Sequence, residues 1–213
     1  MKKFLLILIA VFFISLNNIS AQTAGDAGVR SNKKVSMRST PLMFEGFIIE
    51  PNSQFINETV FVNKIKKAIL LLKERSPDEF QTMQTYIGKI RATRASGANY
   101  NEEIMTIEIA KTTFDASLEW LASTLIHETH HIKKYKDTGK KYGDSALMTD
   151  KKAAFKVIVA EELECNAIQL IALQNVGGAQ YEIDHLKAQK GDHFDIDKDG
   201  DYDWDDYNMR DWE

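Results

Sequence analysis

The run of seven residues from Leu125 to His131 constrains the fold of this chain more than any other feature. It reads Leu-Ile-His-Glu-Thr-His-His, so two imidazoles stand four residues apart and Glu128 follows the first of them. Residues four apart share one face of an α-helix, so His127 and His131 can act on the same point in space. The pattern therefore predicts a helix here, with Glu128 about 100° further round its axis.

Apolar residues in the same segment predict that this helix packs on a hydrophobic core. We expect it to begin at Ala116 after an Asp115 N-cap and to end near Tyr135. The stripe that would face the core comprises Leu118, Leu121, Leu125 and Ile132. A neighbouring stripe comprises Trp120, Thr124, His127 and His131. The two imidazoles are thus expected beside the buried face, sheltered from bulk water.

Two histidines and a carboxylate in this order form the H-E-x-x-H pattern of hydrolytic zinc sites. Neutral imidazoles suit Zn²⁺, and a zinc ion with three protein ligands and an open position lowers the pKa of its bound water to about 7. Glu128 would be the base that activates this water, which is the chemistry of amide hydrolysis. The competing interpretation is a solvated helix whose histidines bind nothing.

Residues 1–21 have the composition of a secretory signal peptide. Two lysines are followed by an apolar run of about 13 residues and then by a polar stretch that ends in Ala21. That run is shorter than the roughly 20 residues of a membrane-spanning helix, although an uncleaved anchor is the alternative. We expect a secreted or periplasmic protein with no stable membrane anchor after cleavage.

Cysteine content excludes a fold held by internal disulfides, and the charge distribution argues against a nucleic-acid-binding protein. Cys165 is the only cysteine, so the chain cannot form an internal disulfide. The chain carries 27 basic and 31 acidic residues, but ten of the acidic residues lie between Asp192 and Glu213. Without this tail and the signal peptide the charges nearly balance, so no basic nucleic-acid-binding surface is expected.

We divide the chain into the signal peptide, a flexible lead-in at 22–42, one domain at 43–191 and an acidic segment at 192–213. A pro-segment is the alternative for 22–42. The domain is predicted to be α+β, mostly helical with a small sheet. Its predicted strands are 44–50 and a pair at 86–94 and 104–110 joined by a turn around Gly97-Ala98-Asn99. Besides the histidine helix, the predicted helices are 58–75, a short one that begins at Ser76-Pro77, 151–175 and 181–189.

The helix at 151–175 offers a third metal ligand in the run Glu161-Glu162-Leu163-Glu164-Cys165-Asn166. Together with the H-E-x-x-H helix, this run resembles the gluzincin branch of the zincin metallopeptidases. In that family a second helix supplies a glutamate ligand, often as E-x-x-[A/S]-D, and Glu162 to Asn166 is similar with Cys for the small residue and Asn for Asp. The alternatives are Glu161, Glu164 and, for a three-histidine site, His185 or His193.

The resemblance implies that Glu162 binds zinc with His127 and His131. It also implies that Asn166 orients one of these histidines without itself binding the metal. It also implies that the strand before the motif helix pairs with extended substrate, here residues 105–109 at an open sheet edge. An oxyanion donor is needed as well, and the candidates are Tyr135, Tyr142, His130 and His185.

The acidic tail contains a pattern typical of a calcium-binding loop. Acidic residues occupy positions 1, 3, 5, 9 and 12 of a twelve-residue run, and Gly200 stands at position 6. The loop resembles the dockerin or EF-hand type, although Tyr202 replaces the usual aliphatic residue at position 8. Its predicted Ca²⁺ ligands are Asp195, Asp197, Asp199, Asp201 (by its backbone carbonyl), Asp203 and Asp206. The alternative is an acidic solubility tail.

The sequence therefore predicts an exported zinc-dependent metallopeptidase that acts on protein or peptide substrates and carries a structural calcium loop. One alternative is a catalytically inactive zincin-like or calcium-binding module with a structural or partner-binding role. Another is a hydrolase on the same scaffold that acts on cell-wall peptides, or a toxin-type protease with a single target.

Overall fold

The architecture is α+β, with one small sheet and a larger helical layer. A computed structural model describes residues 40–139 and 151–201. Predictions on the signal peptide, on most of the lead-in and on Tyr142, Asp203 and Asp206 lie outside these ranges. Within them the chain forms five strands and six helices.

The sheet is mixed, and its strands follow the order β1-β2-β3-β5-β4. Strands β2, β3 and β5 run parallel, while β1 and β4 pair antiparallel at the two edges. The strands are β1 (Leu42–Phe44), β2 (Phe47–Glu50), β3 (Lys89–Ala92), β4 (Gly97–Asn99) and β5 (Thr106–Ile109).

The predicted strand at 44–50 is in fact a hairpin made of β1 and β2. Glu45 and Gly46 connect the two strands, and their φ angles are +50° and +91°. Positive φ at both central residues gives a turn whose twist matches that of the flanking strands. The prediction missed the turn because an apolar run hides the Glu-Gly step.

The predicted strand pair at 86–94 and 104–110 is wrong in its pairing. Strands β3 and β5 are parallel, so no tight turn can join them, and the expected turn at Gly97–Asn99 is itself β4. Because β4 covers β5, residues 105–109 do not offer an open edge to substrate. That edge belongs to β4, which also contacts the histidine helix.

The helices are α1 (Glu58–Arg75), α2 (Pro77–Tyr86), α3 (Lys111–Asp115), α4 (Leu118–Thr138), α5 (Lys151–Val176) and α6 (Gln180–Ala188). The predicted bounds of α1 and the start of α2 at Ser76-Pro77 are confirmed. None of the helices among the described residues is long and apolar enough to cross a membrane.

Helix α4 begins later than predicted. Asp115 does not cap it, because its carboxylate pairs with Lys111 at the end of the short helix α3. Ser117 is the N-cap, and its hydroxyl accepts a hydrogen bond from the amide of Trp120 at 2.8 Å. At the other end Gly139 adopts φ of +70°, which glycine tolerates best, and ends the helix.

The core lies between the sheet and the helices. Alternate strand residues are buried against α1 and α4, namely Phe47, Ile49, Ile90, Ala92, Ile107 and Ile109. On α1 Val60 is 54% exposed, whereas its neighbour Phe61 is buried. Helix α5 packs along α4, so side chains from the two helices can meet.

Candidate metal centre and cleft

Helix α4 places His127 and His131 on one buried face. Their Nε2 atoms lie 3.1 Å apart, and their ring planes meet at 66°. The rings are therefore not stacked, and the two nitrogens converge on one point. The spacing predicted this convergence because residues four apart on a helix lie one above the other.

Helix α5 brings Glu162 to the same point. Its Oε2 lies 3.4 Å from Nε2 of His127, and its Oε1 lies 3.5 Å from Nε2 of His131. Zinc ligands about 2.0–2.1 Å from a tetrahedral ion are separated by about 3.3–3.4 Å. Three donor separations of 3.1, 3.4 and 3.5 Å thus suit a zinc ion.

These three groups keep a buried carboxylate charged. Glu162 is 3% exposed, and its Oε2 has no hydrogen-bond partner among the described residues. Burial alone would raise the pKa of this carboxyl, but the two imidazoles outweigh burial and hold the pKa far below its usual range. A buried carboxylate that stays charged requires compensating positive charge.

The opposite edge of the His131 ring faces α5 as well. Its Nδ1 lies 3.0 Å from Oε1 of Glu161 and 3.4 Å from Sγ of Cys165. Burial opposes protonation of His131, but Cys165, Glu161 and Glu162 outweigh it, so the pKa of His131 is raised well above its usual value. A carboxylate behind a metal-binding imidazole fixes its tautomer and raises its basicity.

Cys165 is a donor that the sequence interpretation did not assign. Its sulfur and one nitrogen from each of His127 and His131 lie within 4.8 Å of one another, and all three residues are buried. Burial raises the pKa of the thiol, which is the neutral form unless a metal binds it. Its contact with His131 is at Nδ1, on the other side of the ring from the nitrogen that faces His127.

Asn166, which the resemblance implied as the residue that orients a histidine, makes no hydrogen bond from its Nδ2 within the described residues. Its Nδ2 and the Nδ1 of His127 are both buried without hydrogen-bond partners among residues 40–139 and 151–201. Asn166 lies instead in the lining of the cleft. Glu161 makes the contact expected of an orienting residue, and it does so with His131.

A cleft of about 510 Å³ opens beside the imidazoles and contains Glu128 in its wall. Residues from six parts of the chain line it, including Arg94, Thr113, Trp120, Gln169, His193 and Ile196. Burial raises the pKa of the Glu128 carboxyl, and the nearby imidazoles offset this only in part. A carboxylate with a raised pKa is better suited to accept and return a proton near neutral pH.

The alternative third ligands lie in other surroundings. The carboxylate of Glu164 is 60% exposed and pairs with Lys134 at 2.5 Å. His185 packs against Trp120, and its Nε2 lies 2.9 Å from Nε2 of Gln189. His193 comes nearer, with its Nε2 3.9 Å from Oε2 of Glu162. Of all these groups, Glu162 alone faces both converging nitrogens.

Tyr100, which the sequence interpretation did not single out, lies close to the metal-binding residues. It follows β4 and packs edge-on against Tyr135 of α4, with ring centroids 5.1 Å apart. Burial, and then the charge of Glu128, raise the pKa of its hydroxyl. This hydroxyl is buried without a hydrogen-bond partner in the described part of the chain. No local pattern marks Tyr100, since tertiary packing alone brings it here.

The acidic loop brings three carboxylates together. Oxygens of Asp195, Asp197 and Asp199 lie within 4.8 Å of one another. Backbone amides hold the turn, because Asp197 and Asp199 accept hydrogen bonds from residues two further along at 3.2 and 3.0 Å. Gly200, with φ of +85°, donates its amide to Oδ2 of Asp195 at 3.3 Å. Gly200 therefore lies within a turn closed by its own hydrogen bond to Asp195.

The predicted residues thus fall into two groups in space, one around His127 and one around Asp195. His127, Glu128, His131 and Glu162 form the first, while Asp195, Asp197 and Asp199 form the second. Comparison of the chain with known proteins gives no match among family models, curated proteins or solved structures.

Proposed function

We propose that this protein is a zinc-dependent metallopeptidase that acts on protein or peptide substrates outside the cytoplasm. The observation that carries the proposal is the convergence of His127, His131 and Glu162 beside a cleft with Glu128 in its wall. Imidazole and carboxylate donors are the ligand set of catalytic zinc, and the donor separations suit that ion.

Zinc held by these three residues would act as a Lewis acid that polarises a carbonyl and acidifies water. Glu128 accepts a proton from the attacking water while the oxygen of this water bonds to the carbonyl carbon of the substrate. Glu128 then returns this proton to the amine nitrogen as the C–N bond breaks. The buried position and raised pKa of Glu128 suit both halves of this transfer.

The surroundings of the cleft suggest how a peptide would lie. Strand β4 is an edge strand that contacts α4, so an extended peptide could add to it through main-chain hydrogen bonds. Side chains of such a peptide would reach the cleft wall formed by Arg94, Trp120 and Ile196. His193 lies in the same wall and could donate a hydrogen bond to the developing oxyanion.

The acidic loop is proposed to bind calcium. Asp195 is 4% exposed, and its Oδ1 has no hydrogen-bond partner among the described residues. Hard carboxylate oxygens held within 4.8 Å suit Ca²⁺, which takes six to eight oxygen ligands. The role of this ion would be structural.

A second function is favoured by Cys165. Its sulfur and one nitrogen from each of His127 and His131 form a buried donor group that does not include Glu162. Thiolate and imidazole are the donors typical of structural zinc sites, which stabilise the fold and do not activate water. The protein would then be an inactive zincin-like module that binds a partner.

Hydrolysis by wild-type protein and a Glu128→Gln variant separates the two functions. We expect about one zinc per chain in both proteins, and a loss of activity on the order of 10²- to 10⁴-fold in the variant. Glu164→Gln is the matched control, because it changes an exposed carboxylate of α5. Zinc bound to a wild-type protein that cleaves neither casein nor cell-wall peptides would favour the structural module.

A further inference from the structure

The segment that joins α6 to the acidic loop lies directly against the metal-binding helix. Gly191 has φ of +74°, and a Cβ at this position would come within 2.7 Å of the carbonyl oxygen of Val159 and 3.3 Å of Cβ of Glu162. Only glycine lets the backbone pass α5 this closely. The chain therefore contacts the turn of α5 that carries Glu162, and it does so at Gly191, four residues before the loop begins at Asp195.

Residues after Gly191 continue this contact and form part of the cleft. Phe194 is 1% exposed and packs against Phe155 of α5, with ring centroids 5.4 Å apart. His193 extends to within 3.9 Å of Glu162 and lines the cleft, as does Ile196. One short stretch thus supplies a wall of the cleft, a core residue and Asp195, the first acidic residue of the loop.

The loop itself concentrates negative charge, and one of its carboxylates is buried. The carboxylates of Asp195, Asp197 and Asp199 repel one another at separations within 4.8 Å, and Asp195 is buried. Its Oδ1 lies without a hydrogen-bond partner in the described part of the chain. The amino group of Lys198 bonds to the backbone carbonyl of Asp192, while Lys151 reaches Asp201 at 3.8 Å.

We propose that the acidic loop and the zinc site are energetically coupled through residues 191–196. A divalent cation bound by Asp195, Asp197 and Asp199 fixes this segment against α5, which orders Glu162 and completes the cleft wall. The inference rests on the proposed zinc and calcium sites, and adds that each ion strengthens binding of the other.

Thermodynamic linkage makes the coupling measurable from either side. If calcium raises the zinc affinity by some factor, zinc must raise the calcium affinity by the same factor. Couplings of this kind range from about 5-fold to about 150-fold. We expect at least a fivefold gain in zinc affinity at saturating calcium.

Zinc affinity of the purified protein can be measured by competition with a chromophoric chelator that does not bind calcium. Titrations without calcium and at saturating calcium give the coupling factor, and calorimetry with calcium alone tests the loop. The D197N/D199N variant removes charge but keeps side-chain oxygens that accept the turn hydrogen bonds. We expect its zinc affinity to match that of calcium-free wild type and not to respond to calcium.

Gly191→Ala tests the connecting segment itself, because it leaves all proposed ligands in place. The added Cβ would push residues 191–196 away from α5, and we expect the coupling factor to fall towards one while calcium still binds. Gly46→Ala is the matched control: its φ is +91° and a Cβ there meets nothing within 4 Å. This control has similar backbone strain and should retain the coupling.

The outcomes separate this inference from the proposed function. Wild-type protein that binds both ions with independent affinities overturns the coupling and leaves the peptidase proposal intact. Failure to bind calcium likewise overturns the coupling alone. Failure to bind zinc overturns the proposed function, and the coupling falls with it. Equal coupling in the Gly191→Ala and Gly46→Ala variants would show that residues 191–196 do not transmit it.

Discussion

The cleft around His127 and the loop around Asp195 both gather metal-binding groups, but their scaffolds differ. Helices α4 and α5 hold the first set, and each of its three proposed ligands is less than a tenth exposed. Turns hold the second set, in which Asp197 and Asp199 are exposed and bond to backbone amides two residues on. The first scaffold is formed by packing of the core, whereas the second scaffold depends on local hydrogen bonds.

This difference teaches what each ion must contribute. In the cleft the packing of α4 already places the two imidazoles, so zinc gains affinity from their preorganisation and adds chemistry. In the loop three carboxylates must be brought close in spite of their repulsion, so calcium contributes order. Loss of the ion should therefore affect the two regions differently, and the following experiments measure that difference.

The largest effect is expected from loss of a proposed zinc ligand. His131→Ala removes a metal-binding nitrogen and should lower the zinc affinity. The loss should exceed the roughly 10–100-fold typical of substitutions at residues that hydrogen-bond to a metal ligand. His130→Ala is the control, since the neighbouring imidazole is half-buried but lies outside the metal-binding cluster. Zinc content by elemental analysis after dialysis is the measurement. Equal zinc in the two variants would contradict the assignment of the site.

A smaller loss of zinc affinity is expected from a change at Glu161, which contacts the proposed ligand His131. Glu161→Gln keeps an oxygen that can accept from Nδ1 of His131 but removes the negative charge. We expect zinc affinity to fall by about 10-fold, whereas Glu164→Gln on the exposed side of α5 should leave it unchanged. Competition with a chromophoric chelator gives both values. If Glu164→Gln caused the greater loss, the ion pair with Lys134 would matter more than the contact with His131.

The site residues that a sequence pattern predicts directly are those that lie within one helix or one loop. His127 and His131 converge because a helix repeats every 3.6 residues, and Gly200 takes part in a turn within its own loop. Glu162 lies on another helix, and its assignment came from a resemblance. Cys165 and Tyr100 were missed because only the packing of α5 and of the segment after β4 brings them close to the proposed metal-binding residues.

The same distinction explains the fold predictions. The bounds of α1 are confirmed because its periodicity and its terminal signals lie within the segment itself. The order of the sheet was not predictable, since β3 pairs with β5 across an intervening strand. The wrong strand pairing placed the open edge of the sheet at β5, whereas β4 forms that edge in the structure. Strand partners are chosen by long-range packing, which a local pattern does not contain.

Removal of calcium should lower the stability of the protein moderately, with the largest structural change in the loop. At calcium ten times Kd, linkage gives about 1.4 kcal/mol of stabilisation, which corresponds to a rise in Tm of roughly 3–6 °C for a domain of this size. Hydrogen exchange should show faster exchange of the Gly200 and Asp201 amides without calcium, and little change at His127 or His131. D197N/D199N protein should not respond to calcium. Faster exchange throughout α4 would mean that the cleft is not preorganised.

The outer face of the sheet supplies the reference case, in which carboxylates are neutralised by side chains instead of ions. Glu102 pairs with Lys89 at 2.9 Å and with Arg91 at 2.6 Å, and Arg91 also contacts Glu108. Burial alone would raise the pKa of Glu102, but the two hydrogen bonds and the positive charges outweigh it and lower the pKa. No divalent cation is needed to hold these carboxylates together.

The smallest effect is therefore expected from Glu102→Gln, and its sign follows from the pKa. Because folding lowers the pKa of Glu102, its stabilising contribution is present above the unfolded value of about 4.3 and is lost as pH falls through the folded value. These partly exposed pairs are screened by solvent, so the contribution at neutral pH should be about 0.2–1 kcal/mol, or at most a few degrees in Tm. The difference in Tm between wild type and Glu102→Gln should be largest near neutral pH and shrink below pH of about 4, with calcium held constant. A difference that grows with acidity would mean that Glu102 is destabilising in the folded state, and that this face too relies on something other than its own lysine and arginine.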